Sequence, residues 1–257
     1  MQPTRSGAHM NPQFAALLIA FESHSVEGVK AVLDAGFDIQ DAVDGKAPLD
    51  YLIEMYFRSD AFVDCLRLLL DHGARLEDRL VRAVLLNDVT ELDTTVADNS
   101  GALNHRTSLN CAFTPLSGAT LLHIAAEYGH LKVARRLIEL GADVNARAAV
   151  DENGFNGHTP LFHTVNSNRN RSAPVMRLLL DAGARTDVLL PGITWGRGFD
   201  WETVCFDVTP ISYAQLGLLR QMQRTEVDTY ENIKVLLAAA GRGFPPHLNV
   251  PNRYLAE

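Results

Sequence analysis

The feature that most constrains this sequence is an apolar helical run closed by glycine, which returns along the chain. It reads VLDAGFDIQ at 32–40, LLDHGARLE at 69–77, LIELGADVN at 137–145, LLDAGARTD at 179–187 and LLAAAGR at 236–242, with a weaker copy, VADNSGALN, at 96–104. The closing glycines are Gly36, Gly73, Gly101, Gly141, Gly183 and Gly241, spaced 28 to 58 residues apart. Modules of this size cannot bury their apolar faces alone, so neighbours must stack. The scatter in spacing implies that most modules carry insertions.

Residues 118–145 show the logic of one module. Thr120 offers a hydroxyl that can cap free amides at a helix start. Leu121, Leu122, Ile124, Ala125 and Ala126 fill a short first helix, and the two alanines let a second helix come close. Gly129-His130 breaks the chain, after which Leu131, Ala134, Leu137 and Ile138 recur at helical spacing. Gly141 then ends the second helix, where a left-handed residue satisfies the last carbonyls.

GATLLHIAAEYGHLKVARRLIELGADVNA resembles the ankyrin repeat across the whole unit, departing at Leu121, where the family motif Thr-Pro-Leu-His has proline. Thr159-Pro160-Leu161 keeps the motif but puts Phe162 at the His position; Thr209-Pro210 is followed by Ser212, and Pro48-Leu49 by Asp50. The resemblance covers roughly 12–242. It implies an all-α ankyrin-repeat solenoid of about six helix-pair units, with a long β-hairpin-like finger before the last unit. Residues 1–11 read as a flexible N-terminus or tag, and 243–257 as a C-terminal tail. The block from Trp195 to Leu219 is similar to one in bacterial ankyrin proteins, which implies a bacterial source.

Three insertions break the period: 105–117, 146–156 and 188–206. The last holds both tryptophans, Trp195 and Trp201, around the turn signal Gly196-Arg197-Gly198. Ile193, Trp195, Phe199 and Trp201 alternate with smaller or polar residues, a strand-like period of two. That predicts a hairpin with one aromatic face. The face serves either as a docking anchor or as a lid whose tryptophans pack on neighbouring modules, the commoner fate of aromatic side chains.

The chemical constellations are weak. Asp200 and Glu202 flank Trp201 and could divide acid–base roles, although a solvated face or an ion pair with Arg197 accounts for them as well. His123 falls on the motif's His position, where the resemblance implies a ring bonded to backbone around the turn. His130 and His163 complete no metal-ligand spacing, and Cys65, Cys111 and Cys205 lie far apart without a CxxC pair. Cys111 is a candidate loop thiol with no assignable base. The sequence contains none of GxSxG, GxxxxGK[ST] or GxGxxG. Asn168, Arg169, Asn170 and Arg171 form a small basic loop that reads as solvent-facing. No catalytic residue, metal site or cofactor is therefore expected.

A net charge of −8 gives no overall pull toward nucleic acid or anionic membrane, and 47% hydrophobic residues suit a folded chain. The function expected is a non-enzymatic scaffold, cytoplasmic and monomeric, that binds another protein. Mapped by resemblance, its contacts are Glu127, Tyr128, Arg147, Phe155, Asn156, His158 and Asn166, with Trp195, Arg197, Phe199 and Trp201 on the finger. Two alternatives stand beside it: an immunity or antitoxin-like protein that neutralises a basic toxin or effector, and an enzyme with a pocket under 188–206.

Overall fold

The computed structural model describes residues 11–99 and 101–242. The expected tag and tail lie largely outside these residues. Eleven α-helices occur among them, most packed against their neighbours in sequence. The first pair is α1 (Pro12–Ser23) and α2 (Val26–Asp34), followed by α3 (Pro48–Glu54) with α4 (Phe62–Asp71) and α5 (Arg79–Leu85) with α6 (Val89–Ala97). Next come α7 (Leu121–Glu127) with α8 (Leu131–Glu139), then α9 (Ala173–Asp181), and finally α10 (Pro210–Leu216) with α11 (Glu226–Ala239).

Local chemistry sets the helix starts. The side chains of Asn11, Ser25, Asp78 and Asp88 accept hydrogen bonds from the first-turn amides of α1, α2, α5 and α6. Packing decides which face turns inward. In α1, Phe14, Leu17, Ala20 and Phe21 are buried while Ile19 is exposed. The cluster FAALLIAF is thus a core helix.

Gly141 ends α8 with φ +94°. Its amide donates to the carbonyl of Ile138 at 2.9 Å, and the next amide, of Ala142, donates to Leu137 at 2.9 Å. A Cβ is disfavoured in that backbone region, so glycine closes the helix at least cost. The turn is also tied forward: Asn145 donates through Nδ2 to the carbonyl of Gly183 at 3.1 Å and accepts from the amide of Arg185 at 2.8 Å. Gly101 departs from this pattern. Its φ is −93° and a short 3-10 turn follows, so the weak copy at 96–104 does not close a helix in the same way.

The all-α expectation is corrected by two antiparallel sheets of two strands each. β1 (Arg106–Leu109) pairs with β2 (Leu116–Thr120), so the insertion at 105–117 supplies a strand rather than a plain loop. β3 (Leu190–Trp195) pairs with β4 (Thr203–Val208), with Trp195 opposite Thr203. The picture of six like helix pairs is corrected as well. Residues 160–163, where a first helix was expected, form only a 3-10 turn. Phe199 and Trp201 lie in the turn after β3, so the period-two pattern ends at Trp195.

Candidate functional site

The site begins at the start of α7. Thr120 and His123 form a capping box: the amide of Thr120 donates to His123 Nδ1 at 3.1 Å. The opposite ring nitrogen, Nε2–H, donates to the carbonyl of His158 at 3.1 Å. His123 is therefore neutral and structural, the role implied by resemblance. Burial, followed by the nearby His163, pulls its pKa down to about 3. α7 is buried along its whole length, which carries Glu127, at its last turn, into the interior.

Glu127 is held on both oxygens. Oε2 accepts from His163 Nδ1 at 2.9 Å, and Oε1 accepts from the Cys111 thiol at 3.3 Å. Arg58 Nη2 lies 3.5 Å from the same Oε1, with both side chains only 5% exposed. Burial pushes the Glu127 carboxyl upward, but the His163 hydrogen bond and the Arg58 charge outweigh it and hold the pKa below its ordinary value. Arg58 also donates to the carbonyls of Met55 and Phe57 and stacks over the Tyr128 ring at 4.4 Å. His163 Nε2 faces His158 Nε2 at 3.1 Å. Burial keeps His158 neutral, its pKa well below the usual imidazole value.

The chemistry available here is limited. Burial and Glu127 push the Cys111 thiol strongly upward, so it stays protonated and is a poor nucleophile. The Glu127–His163 pair has no accessible hydroxyl or thiolate at its far end, only another buried imidazole.

Beside this network lies a small cavity of about 20 Å³. Arg58, Glu127, His163 and Ser172 form its buried base, and Phe113 and Trp195 wall it on the hairpin side. The half-buried Arg171 and Arg224 stand at its rim. A larger groove of about 340 Å³ runs between α1–α3 and the β3–β4 turn, lined by Leu18, Tyr51, Tyr56, Arg197 and Phe199 among others.

The expected contact residues divide by burial. Glu127, Tyr128, Asn156, His158, Asn166 and Trp195 are buried, so they offer no surface to a partner in this form. The family pattern placed them by analogy with simpler repeats, whereas here other parts of the chain enclose them: Glu127 meets Arg58, Cys111 and His163, the Tyr128 hydroxyl donates to the Ile53 carbonyl at 2.7 Å, and Asn166 lies against Tyr213. The amide of Gly196 donates to the Phe113 carbonyl at 3.2 Å, the amide of Asn156 to Gly192 at 2.8 Å, and Trp195 stacks on Phe113 with ring centroids 5.8 Å apart. Phe155, Phe199 and Trp201 are half-buried, while Arg147 and Arg197 are exposed. Asp200 and Glu202 are both exposed in the turn, and Glu202 Oε2 accepts from the Gly198 amide at 2.7 Å, so they do not converge on the cavity. Sequence reasoning missed Arg58 and Arg224 altogether and read Arg171 as solvent-facing.

Residues 117–149 match the family model of the ankyrin repeat. The chain carries an ankyrin repeat. Its matched unit comprises most of β2 together with α7 and α8 and their closing turn, and it supplies His123 and Glu127 to the site. Among curated proteins, the chain is 35% identical over 116 residues to the ADP-ribosylation factor GTPase-activating protein AGD2 of Arabidopsis thaliana. It is 34% identical over 73 residues to AGD4 of the same plant. Those alignments cover 45% and 28% of this chain but only 13% and 8% of the relatives. Both are plant proteins, so the implied bacterial source gains no support from them. Among the described residues, no helix is long and apolar enough to cross a membrane.

Proposed function

We propose that this ankyrin-repeat protein binds another protein and has no catalytic activity of its own. The observation that carries the reading is the repeat at 117–149, a module whose general use is protein–protein interaction. The surface argued for is the groove between α1–α3 and the β3–β4 turn. Tyr56, 44% exposed, and the half-buried Phe199 supply apolar area, and the exposed Arg197 supplies charge. Arg147 and Phe155 do not line this groove; Phe155 packs against Phe206, with ring centroids 5.5 Å apart.

Trp195, of the 188–206 segment, lines the small cavity, which is what the enzyme alternative rests on. Its chemistry argues against hydrolysis: the thiol is protonated, Glu127 is saturated, and the exposed carboxylates stand elsewhere. The GTPase-activating function in the relatives' names is not transferred, because the match spans so little of their length. The test is affinity capture from the source organism with wild type and with a Tyr56→Ala, Arg197→Glu, Phe199→Ala triple variant. Loss of a specific partner with retained folding supports the groove; identical capture by both proteins removes it.

A further inference from the structure

The cavity at Arg58, Arg171 and Arg224 has more positive charge and more donors than the protein itself uses. Three guanidinium groups line it, against one carboxylate. That carboxylate, Glu127, is already engaged on both oxygens. Asp60 pairs with Arg171 at 2.6 Å but is 99% exposed, so water screens its charge. Burial lowers the pKa of Arg224, the mark of a guanidinium whose desolvation is incompletely compensated.

Unused donors accompany the charge. Arg58 Nε and Ser172 Oγ are buried and have no hydrogen-bond partner, and both residues line the cavity. Arg224 spends Nε on the Asn166 carbonyl at 2.5 Å and Nη1 on Met222 at 2.6 Å. Arg171 spends Nε on Tyr128 at 3.4 Å and Nη1 on Asp60. Among the described residues, Nη2 of each makes no hydrogen bond or ion pair. A buried donor without an acceptor is costly, and an arginine fork matches carboxylate and phosphate oxygens in geometry.

The rim is held in a shape the backbone resists. Arg169 and Asn170 have φ values of +51° and +52°, rare for residues with a Cβ. The buried Asn232 fixes that loop by donating to the Asn170 side chain at 2.8 Å and to the Val165 carbonyl at 3.0 Å. The loop thereby brings Arg171 and Ser172 to the cavity. Backbone strain that the surroundings enforce tends to collect at binding sites.

We propose that this cavity binds one oxyanion head group, a carboxylate or a phosphate, between Arg58, Arg171, Arg224 and Ser172. The cavity, about 20 Å³, excludes a nucleotide or a sugar, so only the head group of an anion could reach these donors. Two sources carry this chemistry: a free small anion, and an acidic side chain of a bound protein. The cavity and the groove of the proposed function have different linings, so either reading can fail without the other.

The experiment titrates sodium phosphate and N-acetyl-glutamyl amide separately into wild type, Arg171→Gln and Arg224→Gln, against sodium chloride at matched ionic strength. Calorimetry gives affinity, and amide and indole NMR shifts at Ser172 and Trp195 give location. At least one probe is expected to bind wild type saturably, move those signals and weaken about tenfold or more in each variant, as loss of a charge-assisted hydrogen bond implies. Phosphate binding alone assigns a free anion; glutamyl amide binding assigns a partner's acidic side chain. If neither probe exceeds chloride in wild type, the proposal is overturned. Affinity unchanged in a folded Arg171→Gln protein overturns it too. Should Arg224→Gln fail to fold, the wild-type NMR map and Arg171→Gln still decide.

Discussion

His163 donates from Nδ1 to Glu127 Oε2 across 2.9 Å, with the imidazole side chain 0% exposed and the carboxylate 5%. The pair joins the last turn of α7 to the 3-10 turn at 160–163, and Arg58 closes the triad from the loop after α3. A buried ionic group of this kind is costly to form and more costly to break, because removing one member strands the others.

Glu127→Gln therefore leaves the Arg58 charge without its counterion. A loss of about 3 kcal/mol or more in unfolding free energy is expected. Urea denaturation should show a lower midpoint with an unchanged slope. The double variant Arg58→Met, Glu127→Gln should lose less than the two single variants added together. Additive losses would mean that the two groups do not interact.

The buried histidines predict acid sensitivity. Burial, the largest cause for each, lowers the pKa of His24 to about 4, His123 to about 3 and His130 to about 4, and His158 falls well below the usual value. Below pH ~6.5 the unfolded chain takes up protons that the folded chain refuses, so stability falls with pH from there toward the folded values. Each histidine adds a slope of up to about 1.4 kcal/mol per pH unit in that window. Glu127, with its lowered pKa, adds a further loss only below the ordinary carboxylate range. Denaturation midpoints at pH 7.5, 6.0 and 5.0 should fall steeply over the last interval. A flat profile from 7.5 to 5.0 would contradict the neutral, buried assignment.

What the sequence made legible was local. The α7–α8 unit follows from Thr120, the Ala125-Ala126 pair and Gly141, whose effects all act within one helix pair. The structural role of His123 came from the family resemblance, and its partner Thr120 lies three residues away. The site was not readable. Arg58 meets Glu127 across 69 residues of chain, with no nearby pattern announcing either as buried. The family's surface positions misplaced Glu127 and Tyr128, because residues distant in sequence enclose them: Arg58 and His163 around Glu127, Ile53 and Phe62 around Tyr128. The strand at 106–109 was hidden for a similar reason: a four-residue strand exists only through its partner.

The two tryptophans should separate on mutation. Trp195 is 2% exposed and packed against Phe113, so Trp195→Ala removes a core side chain and should cost about 3–5 kcal/mol. Trp201 is half-buried in the turn, and Trp201→Ala should cost clearly less. Thermal and urea unfolding of the two variants side by side checks the order. Equal, small losses would mean that Trp195 is not part of the core.

Gly196 and Gly198 provide a matched pair that isolates one contact. Both have left-handed backbones, with φ +73° and +83°. A Cβ at Gly196 would lie 1.9 Å from the Trp201 ring, whereas one at Gly198 would meet nothing within 4 Å. Gly198→Ala should therefore cost only the left-handed backbone term, about 1–2 kcal/mol. Gly196→Ala carries the same term and must also displace Trp201 from its place beside Trp195, where the ring centroids are 4.6 Å apart. Its loss should exceed that of Gly198→Ala, and its tryptophan emission should shift to the red as the Trp201 indole reaches water. Equal losses with unchanged emission in both variants would show that the Trp201 ring does not rest on Gly196.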